Sequence, residues 1–464
     1  TLTDRIGFWV DMEDPYVTLE NNYIESGWWI LKTLWDQGLL SQNMRGTPHC
    51  PRCVTSLSSH EVALGYKEDT PDPSVFVKFR VVAPPQPPPS QVGEESTVPP
   101  DQAGKDPSVP PYEGGTTGGL FPSTPTYLLA WTTTPWTLPG NTALAVDEAA
   151  DYSVVEVEQD GAVQRLVLAT PSLEANLNQD HTVVATVKGA DLVGIGYQPL
   201  YSPAEHGVEF RRFVRREARG VGTVATLEPA TELAPQVVAA GFVSMDDGTG
   251  IVHIAPAFGD EDLNLGREKE LAFVQPVDLL GKITGNYPFA GKFVKDADEE
   301  IMAGLKERGL LFHRDIYRHT YPFCWRCDTP LLYYAKSSWY IRTTAFKDKL
   351  VSGNSKINWY PEYIKEGRFG EWLRNNVDWA ISRERYWGTP IPIWECQSCR
   401  YQLCVGSVED LKRHAAPEHR DRLDGLDLHR PYVDEIEVGC TAGGCGGRMR
   451  RVPEVMDAWF DSGA

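Results

Sequence analysis

Eight of the nine cysteines fall in four close pairs: Cys50-Pro-Arg-Cys53, Cys324-Trp-Arg-Cys327, Cys396-Gln-Ser-Cys399, and Cys440 with Cys445. Cys404 is left over. A CxxC pair puts two thiolates on one tight knuckle, where they can share a soft tetrahedral cation. Two such knuckles complete a closed zinc site. A thioredoxin-like redox motif would need CxxC opening a helix after a strand, which Pro51 and the polar residues after Cys53 do not suggest. Closed four-thiolate sites are structural. A metallohydrolase would need an open position and a His or carboxylate ligand, and no HExxH occurs.

The first two pairs are alike beyond their cysteines. Cys50-Pro-Arg-Cys53-Val-Thr55-Ser-Leu57 and Cys324-Trp-Arg-Cys327-Asp-Thr329-Pro-Leu331 repeat Cys, Arg, Cys, Thr and Leu at the same offsets. This predicts one pseudo-symmetric zinc ribbon. Its knuckles lie about 270 residues apart, against roughly 15–20 in an ordinary ribbon. A whole domain, residues 69–317, is therefore expected between them. The last two pairs predict a second ribbon from Cys396, Cys399, Cys440 and Cys445, with Cys404 as a competing ligand.

Two segments of the inserted region carry polar side chains at strand ends. In Trp131-Thr132-Thr133-Thr134-Pro135-Trp136-Thr137-Leu138-Pro139-Gly140-Asn141, a strand runs into three threonines and is halted by Pro135, which cannot continue a ladder. In Ile251-Val-His253-Ile-Ala-Pro256-Ala-Phe-Gly259-Asp-Glu-Asp262, His253 faces away from Val252 and Ile254. Pro256 to Gly259 turn the chain, and Asp260 to Asp262 open a helix, where acids complement the helix dipole. By themselves these patterns are equally those of β-propensity, a core imidazole and a first-turn acid.

The elements that must hold these residues are short strands over 127–134, 142–146, 153–157, 165–169, 182–187 and 250–254, separated by Gly, Pro and Asp. That spacing predicts a barrel-like β domain. Ile24, Trp28, Leu31 and Trp35 make a helical stripe, with Gly38 as its stop. Residues 83–125 hold about a third of the 35 prolines and are expected to be an exposed loop. From 346 onward, helical (361–375) and strand-like (377–382, 391–394) signals mix. No GxGxxG, Walker A or GxSxG motif occurs.

Composition narrows the classes. The 464 residues are 41% hydrophobic and 23% charged, which excludes wholesale disorder. The net charge of −20 argues against gripping nucleic acid by bulk electrostatics. No apolar run approaches the roughly 20 residues of a membrane span, and the first residues do not read as a secretory signal. The chain begins with Thr1 and stops at Ala464 soon after a strand-like stretch, so a piece of a larger protein is expected.

Taken together, TTTPWTLPGN, GTGIVHIAPAFGDED, HTYPFCWRCDTPLLYYAKSSWYI, VDWAISRERYWGTPIPIW and MDAWFDSG strongly resemble the isoleucyl-tRNA synthetases, a class I family. The resemblance covers nearly the whole chain apart from the proline-rich loop. Valyl and leucyl relatives typically read Thr-Thr-Arg-Pro where this chain has Thr132-Thr133-Thr134-Pro135. The resemblance implies a mixed α/β and β fold. A helical connection covers 1–47, and the zinc-ribbon base of a connective peptide covers 48–68 and 318–345. A β-barrel-like editing domain spans 69–317, and an incomplete Rossmann-type portion with the second ribbon spans 346–464. The family's HIGH and KMSKS signatures are absent from these residues, so ATP and Mg2+ would serve only a longer enzyme.

The resemblance further implies hydrolytic editing of valyl-tRNA(Ile). The partners are the tRNA 3′ end and the valyl or isoleucyl group, in a cytoplasmic monomer with two structural zinc ions. Asp262 would hold the substrate ammonium, which suits a carboxylate. Thr132, Thr133 and Thr134 would contact the aminoacyl and adenosine ends and orient a water. His253, Asn141 and Trp136 would line that pocket, and Trp459 would be a wall of the synthetic amino-acid pocket. The competing readings are a zinc-stabilised tRNA-binding scaffold and a valyl or leucyl editing fragment. The scaffold's contacts would come from Arg211, Arg212, Arg215 and Arg216, and from Arg448, Arg450 and Arg451.

Overall fold

The computed structural model describes residues 2–15, 17–82, 124–159, 161–218 and 222–464. The expected proline-rich loop lies outside them except for its last two residues. The chain divides into two compact units, residues 46–335 in one and 1–45 with 336–464 in the other.

The unit of residues 46–335 is built on a nine-stranded sheet. Its strand Thr126–Thr132 is shared by three neighbours. Along one edge it pairs antiparallel with Tyr66–Arg80, from Arg80↔Tyr127 to Val75↔Thr132. Along the other edge, Thr126 to Leu128 run parallel to Arg165 to Val167, and then Trp131 pairs in parallel with Val252. Beyond Leu128 the sheet therefore splits. One branch continues through Ala162–Ala169, Asp151–Gln159 and His181–Lys188, and the other through Val252–Ile254, Ala143–Val146 and Gln236–Ala239. The split curls the sheet into a half-barrel. The expected barrel-like character is present as that curl in a mixed α/β unit.

Each branch has its own core. Val155, Val157, Leu166 and Leu168 cluster with Leu129, Leu173 and Leu177 on the first. Ala143, Ala145, Val238 and Ile254 cluster with Leu265 and Leu271 on the second. Ala143 to Val146 are buried without alternation, as befits a strand covered on both faces. Leu265 belongs to the helix Asp260–Glu268. A second helix, Val294–Glu307, buries Val294, Ala297, Asp298, Ile301, Met302 and Leu305.

In the other unit, the predicted stripe forms one face of the helix Asn21–Asp36. Ile24, Trp28 and Leu31 are fully buried, and each such side chain contributes roughly 1.5–3 kcal/mol. Gly38 ends the helix at φ +68, the left-handed conformation that glycine adopts without strain. Gln402–Cys404, Ile393–Cys396, Arg448–Arg451 and Val438–Gly439 form one small antiparallel sheet, and Ser382–Arg383 pairs antiparallel with Val455–Met456. The expected Rossmann-type portion draws no parallel sheet from these pairings.

Candidate functional site

The eight paired cysteines converge in two clusters, Cys50, Cys53, Cys324 and Cys327, and Cys396, Cys399, Cys440 and Cys445. Within each, the four sulfurs lie within 4.8 Å of one another. Nearest sulfurs are 3.5 Å (Cys50–Cys327) and 3.6 Å (Cys53–Cys327) apart in the first, and 3.6 Å (Cys396–Cys445, Cys399–Cys440) in the second. A tetrahedron of sulfurs with Zn–S bonds of about 2.3 Å has edges of about 3.8 Å, so both clusters fit zinc.

All four knuckles share one backbone device. The residue after the second cysteine is left-handed: Val54 at φ 52, Asp328 at 58, Arg400 at 62 and Gly446 at 61. For β-branched Val54 this conformation is strained. At Gly447 a Cβ would come within 2.9 Å of Cys396 Sγ and 3.2 Å of Cys445 Sγ, so the loop is shaped to the sulfurs. Cys404 is not part of the cluster. It is buried in the apolar core of its unit, and that burial pushes its thiol up to about 12.

The polar strand ends meet at one edge. Because Val252 and Trp131 pair in parallel, the strands Thr126–Thr132 and Val252–Ile254 deliver Thr132–Thr134 and Ala255–Asp262 to the same end of the sheet. Thr132 Oγ1 accepts the Thr134 N–H at 3.2 Å and lies 3.2 Å from Thr134 Oγ1. This local side-chain turn breaks the strand ahead of Pro135. A 3₁₀ helix, Pro135–Gly140, follows.

His253 is 8% exposed, and both its ring nitrogens are engaged. Asn141 Nδ2 donates to Nδ1 at 2.8 Å and to the Ala143 carbonyl at 2.9 Å. A nitrogen that accepts carries no proton, so Nε2 is the protonated one and donates to Thr137 Oγ1 at 3.1 Å. Thr137 passes the bond to the Thr134 carbonyl at 2.8 Å, and the Tyr197 hydroxyl donates to Asn141 Oδ1 at 2.7 Å. The chain of bonds has one direction throughout. Burial lowers the His253 pKa to about 4, which keeps the imidazole neutral and the direction fixed. His253 is thus a strut behind the threonine turn.

Asp262 sits half-buried in the first turn of the helix Asp260–Glu268. Its Oδ2 accepts the Ala255 N–H at 2.8 Å, tying the helix back to the end of the His253 strand. Burial raises its pKa to about 6, against the lowering effect of the Ala255 bond, and neighbouring Glu261 adds to the rise.

Trp136 lies elsewhere than expected. It is 2% exposed, packs edge-to-face on Phe258 with ring centroids 5.0 Å apart, and donates its backbone N–H to Asp298 Oδ1 at 2.9 Å. Its ring underpins the turn from the core, where an indole buries most surface, rather than lining an open face. Trp459 belongs to the other unit, 75% exposed on the short helix Ala458–Gly463. Thr137, Tyr197 and Asp298 were not singled out from sequence. Thr137 stands in the threonine motif itself, whereas Tyr197 and Asp298 meet their partners across 56 and 162 residues.

The arginine groups proposed for a scaffold are largely engaged within the chain. Arg216 pairs with Glu228, Arg448 with Glu418, Arg450 with Glu437 and Arg451 with Asp434. Arg215 donates to the Glu268 carbonyl, and Arg211 lies over the Phe273 ring. No helix among the described residues is long and apolar enough to cross a membrane.

Over its full length the chain is similar to isoleucine–tRNA ligases. It is 52% identical over 464 residues to that of Dehalococcoides mccartyi and 44% identical over 462 residues to that of Thermus thermophilus. It covers 42% and 37% of those proteins, so it spans about two fifths of the relatives it matches. Among solved structures, the P. falciparum cytosolic leucyl-tRNA synthetase editing domain aligns at 10% identity and a TM-score of 0.34, over 53% of this chain and 99% of that one. The family of class I tRNA synthetases (I, L, M and V) matches residues 2–464, and this chain belongs to it.

Proposed function

We propose that this chain is the editing-domain-bearing part of an isoleucine–tRNA ligase, and that its unit of residues 46–335 hydrolyses valyl-tRNA(Ile). Isoleucine and valine differ by one methylene. Such a difference is worth only about 1–3 kcal/mol in a pocket, this amino-acid pair being the type example, so a second, hydrolytic sieve is needed. In this reading residues 69–317 form the editing domain, and residues 48–68 with 318–345 its zinc-ribbon base. Residues 1–47 and 346–464 belong with the Rossmann-type catalytic portion, which would use ATP and Mg2+ in the longer enzyme.

The observation that carries the reading is the bond chain from Tyr197 through Asn141, His253 and Thr137 to the Thr134 carbonyl, beside Asp262 at the same sheet edge. It holds a row of hydroxyls rigidly at a strand end and leaves His253 no nitrogen to act as a base. Catalysis then rests on a positioned water. The water oxygen bonds to the ester carbonyl carbon, the bond to the ribose oxygen breaks, and that oxygen takes the proton. Thr132, Thr133 and Thr134 hold the water and the terminal adenosine. Ionised Asp262 holds the ammonium, and Asn141, His253 and Trp136 support the turn. Trp459 would serve the amino-acid pocket of the longer enzyme. Each cysteine cluster would hold one structural zinc ion.

The scaffold reading is weakened by the pairing of Arg216, Arg448, Arg450 and Arg451 with acids of the chain itself. A valyl or leucyl identity is disfavoured by Thr134 in the motif and by the relatives at 44–52% identity. The test is release of valine from Val-tRNA(Ile) by the chain and by Asp262→Ala. Rapid release that the substitution abolishes, with the fold intact, supports the proposal. Retained release refutes the role of Asp262.

A further inference from the structure

The helix Val294–Glu307 carries one residue that its own pattern does not explain. Five of its buried positions are apolar, at the spacing of a core stripe, and the sixth is Asp298, 4% exposed. A carboxylate at a core position is costly unless a donor meets it. Here the donor is the Trp136 N–H at 2.9 Å. That N–H lies in the first turn of the 3₁₀ helix Pro135–Gly140, where Thr134 makes no side-chain capping bond. The cap of the threonine turn is therefore supplied from a different element, 162 residues away in sequence.

We propose that Asp298 is a positioning residue for the hydrolytic reaction: by holding the Trp136 amide it sets the start of the Pro135–Gly140 turn, and so the aim of the hydroxyls of Thr132, Thr133 and Thr134. The role rests on the hydrolase reading above. Asp298 touches no reacting atom. It acts through the Trp136 backbone, by a bond separate from the Tyr197–Asn141–His253–Thr137 chain, which runs from Asn141 after the turn back to the Thr134 carbonyl before it.

The surroundings of Asp298 make its charge adjustable. On its own helix stand Lys295 and Glu299. From the strand Tyr66–Arg80 comes Asp72, which accepts from Lys295 at 2.6 Å and bonds His319 Nε2 at 3.0 Å. From the strand Leu311–Pro322 come Arg314, paired with Glu299 at 3.1 Å, together with Asp315 and Tyr321. A cleft of about 610 Å³ lined by Asp72, Lys295, Asp298 and Arg314 leads to this group. Burial raises the Asp298 pKa to about 7. Lys295 and the Trp136 bond oppose the rise, and Asp72 and Glu299 add to it. Protonation replaces a charge-assisted bond to Trp136 with a weaker neutral one, so the turn loosens as pH falls through neutrality.

The test uses the 464-residue chain as wild type, Asp298→Asn and Asp298→Ala, with Val-tRNA(Ile) as substrate between pH 5 and 9. Asparagine mimics the protonated acid. Asp298→Asn should lower kcat about tenfold at pH 8 with KM within about twofold, since small misplacements of reacting groups cost rate rather than binding. It should also erase the inflection near pH 7 while keeping the lower one from Asp262. Hydrogen exchange of the Trp136 amide should speed up in Asp298→Asn relative to core amides such as Val167 and Leu168. Unchanged kcat and pH profile, or unchanged Trp136 exchange, overturns the proposal. If Asp298→Ala fails to fold, the asparagine variant decides. If the wild type releases no valine, the hydrolase reading falls and the positioning role with it. An active wild type with an indifferent Asp298→Asn removes the positioning role alone.

Discussion

Asp262 is placed where function and stability oppose each other, and Asp262→Asn separates them. Burial raises its carboxyl from 3.8 to about 6. The native state therefore binds this proton more tightly than the unfolded chain does. Stability from this group is present below pH 3.8, falls as pH climbs between 3.8 and 6, and is gone above 6. Two pH units correspond to about 3 kcal/mol at most. Asp262 is only half-buried, and solvent screening reduces this to about 1–2 kcal/mol. Asparagine keeps an oxygen for the Ala255 N–H and never ionises. Asp262→Asn should therefore stabilise the fold at pH 8 by about 1 kcal/mol, raising Tm by about 2–4 °C for a unit of this size, with no gain at pH 4. Valine release should be lost at every pH. Scanning calorimetry at the two pH values, with a deacylation assay alongside, reads both effects. A variant destabilised at pH 8, or shifted equally at pH 4 and pH 8, would refute the argument that burial strains this carboxylate.

Elemental analysis should find two zinc ions per chain. Cys399→Ala should lower the count to one and Cys404→Ala should leave it at two; loss of zinc in Cys404→Ala would contradict the cluster. Tyr197→Phe leaves Asn141 Oδ1 without its donor inside the protein and should cost about 1–3 kcal/mol in chemical denaturation. An unchanged midpoint would show that the bond chain does not brace the site.

The chemistry-bearing residues were legible because their signals are local. Proline after three threonines marks where a strand must stop, and CxxC knuckles declare their ligands by spacing. The helix at Asn21–Asp36 was readable because Ile24, Trp28 and Leu31 repeat at helical period and Gly38 follows. What sequence does not carry is the partner of each polar group. Trp136 reads as a pocket aromatic from its motif, yet it is buried because Asp298 and Phe258 lie beneath it. His253 reads from its own pattern as a core imidazole and from the family resemblance as a pocket wall, and only Asn141 and Thr137 at hydrogen-bond distance show that both nitrogens are used. Cys404 stands outside the close pairs in sequence, and the apolar core around it keeps it out of the cluster. One further signal does stand in the sequence: an acid, Asp298, in the apolar stripe of a helix. The split of the sheet at Leu128 is a tertiary event, since Thr126–Thr132 pairs with three strands from distant parts of the chain.

The claim at the centre of this account is that the threonine turn and Asp262 form a hydrolytic site that prefers valine. The most direct measurement is the rate at which this chain frees amino acid from Val-tRNA(Ile) and from Ile-tRNA(Ile) under the same conditions. Valine released well ahead of isoleucine is the predicted result. Equal rates, or release of neither, would contradict it.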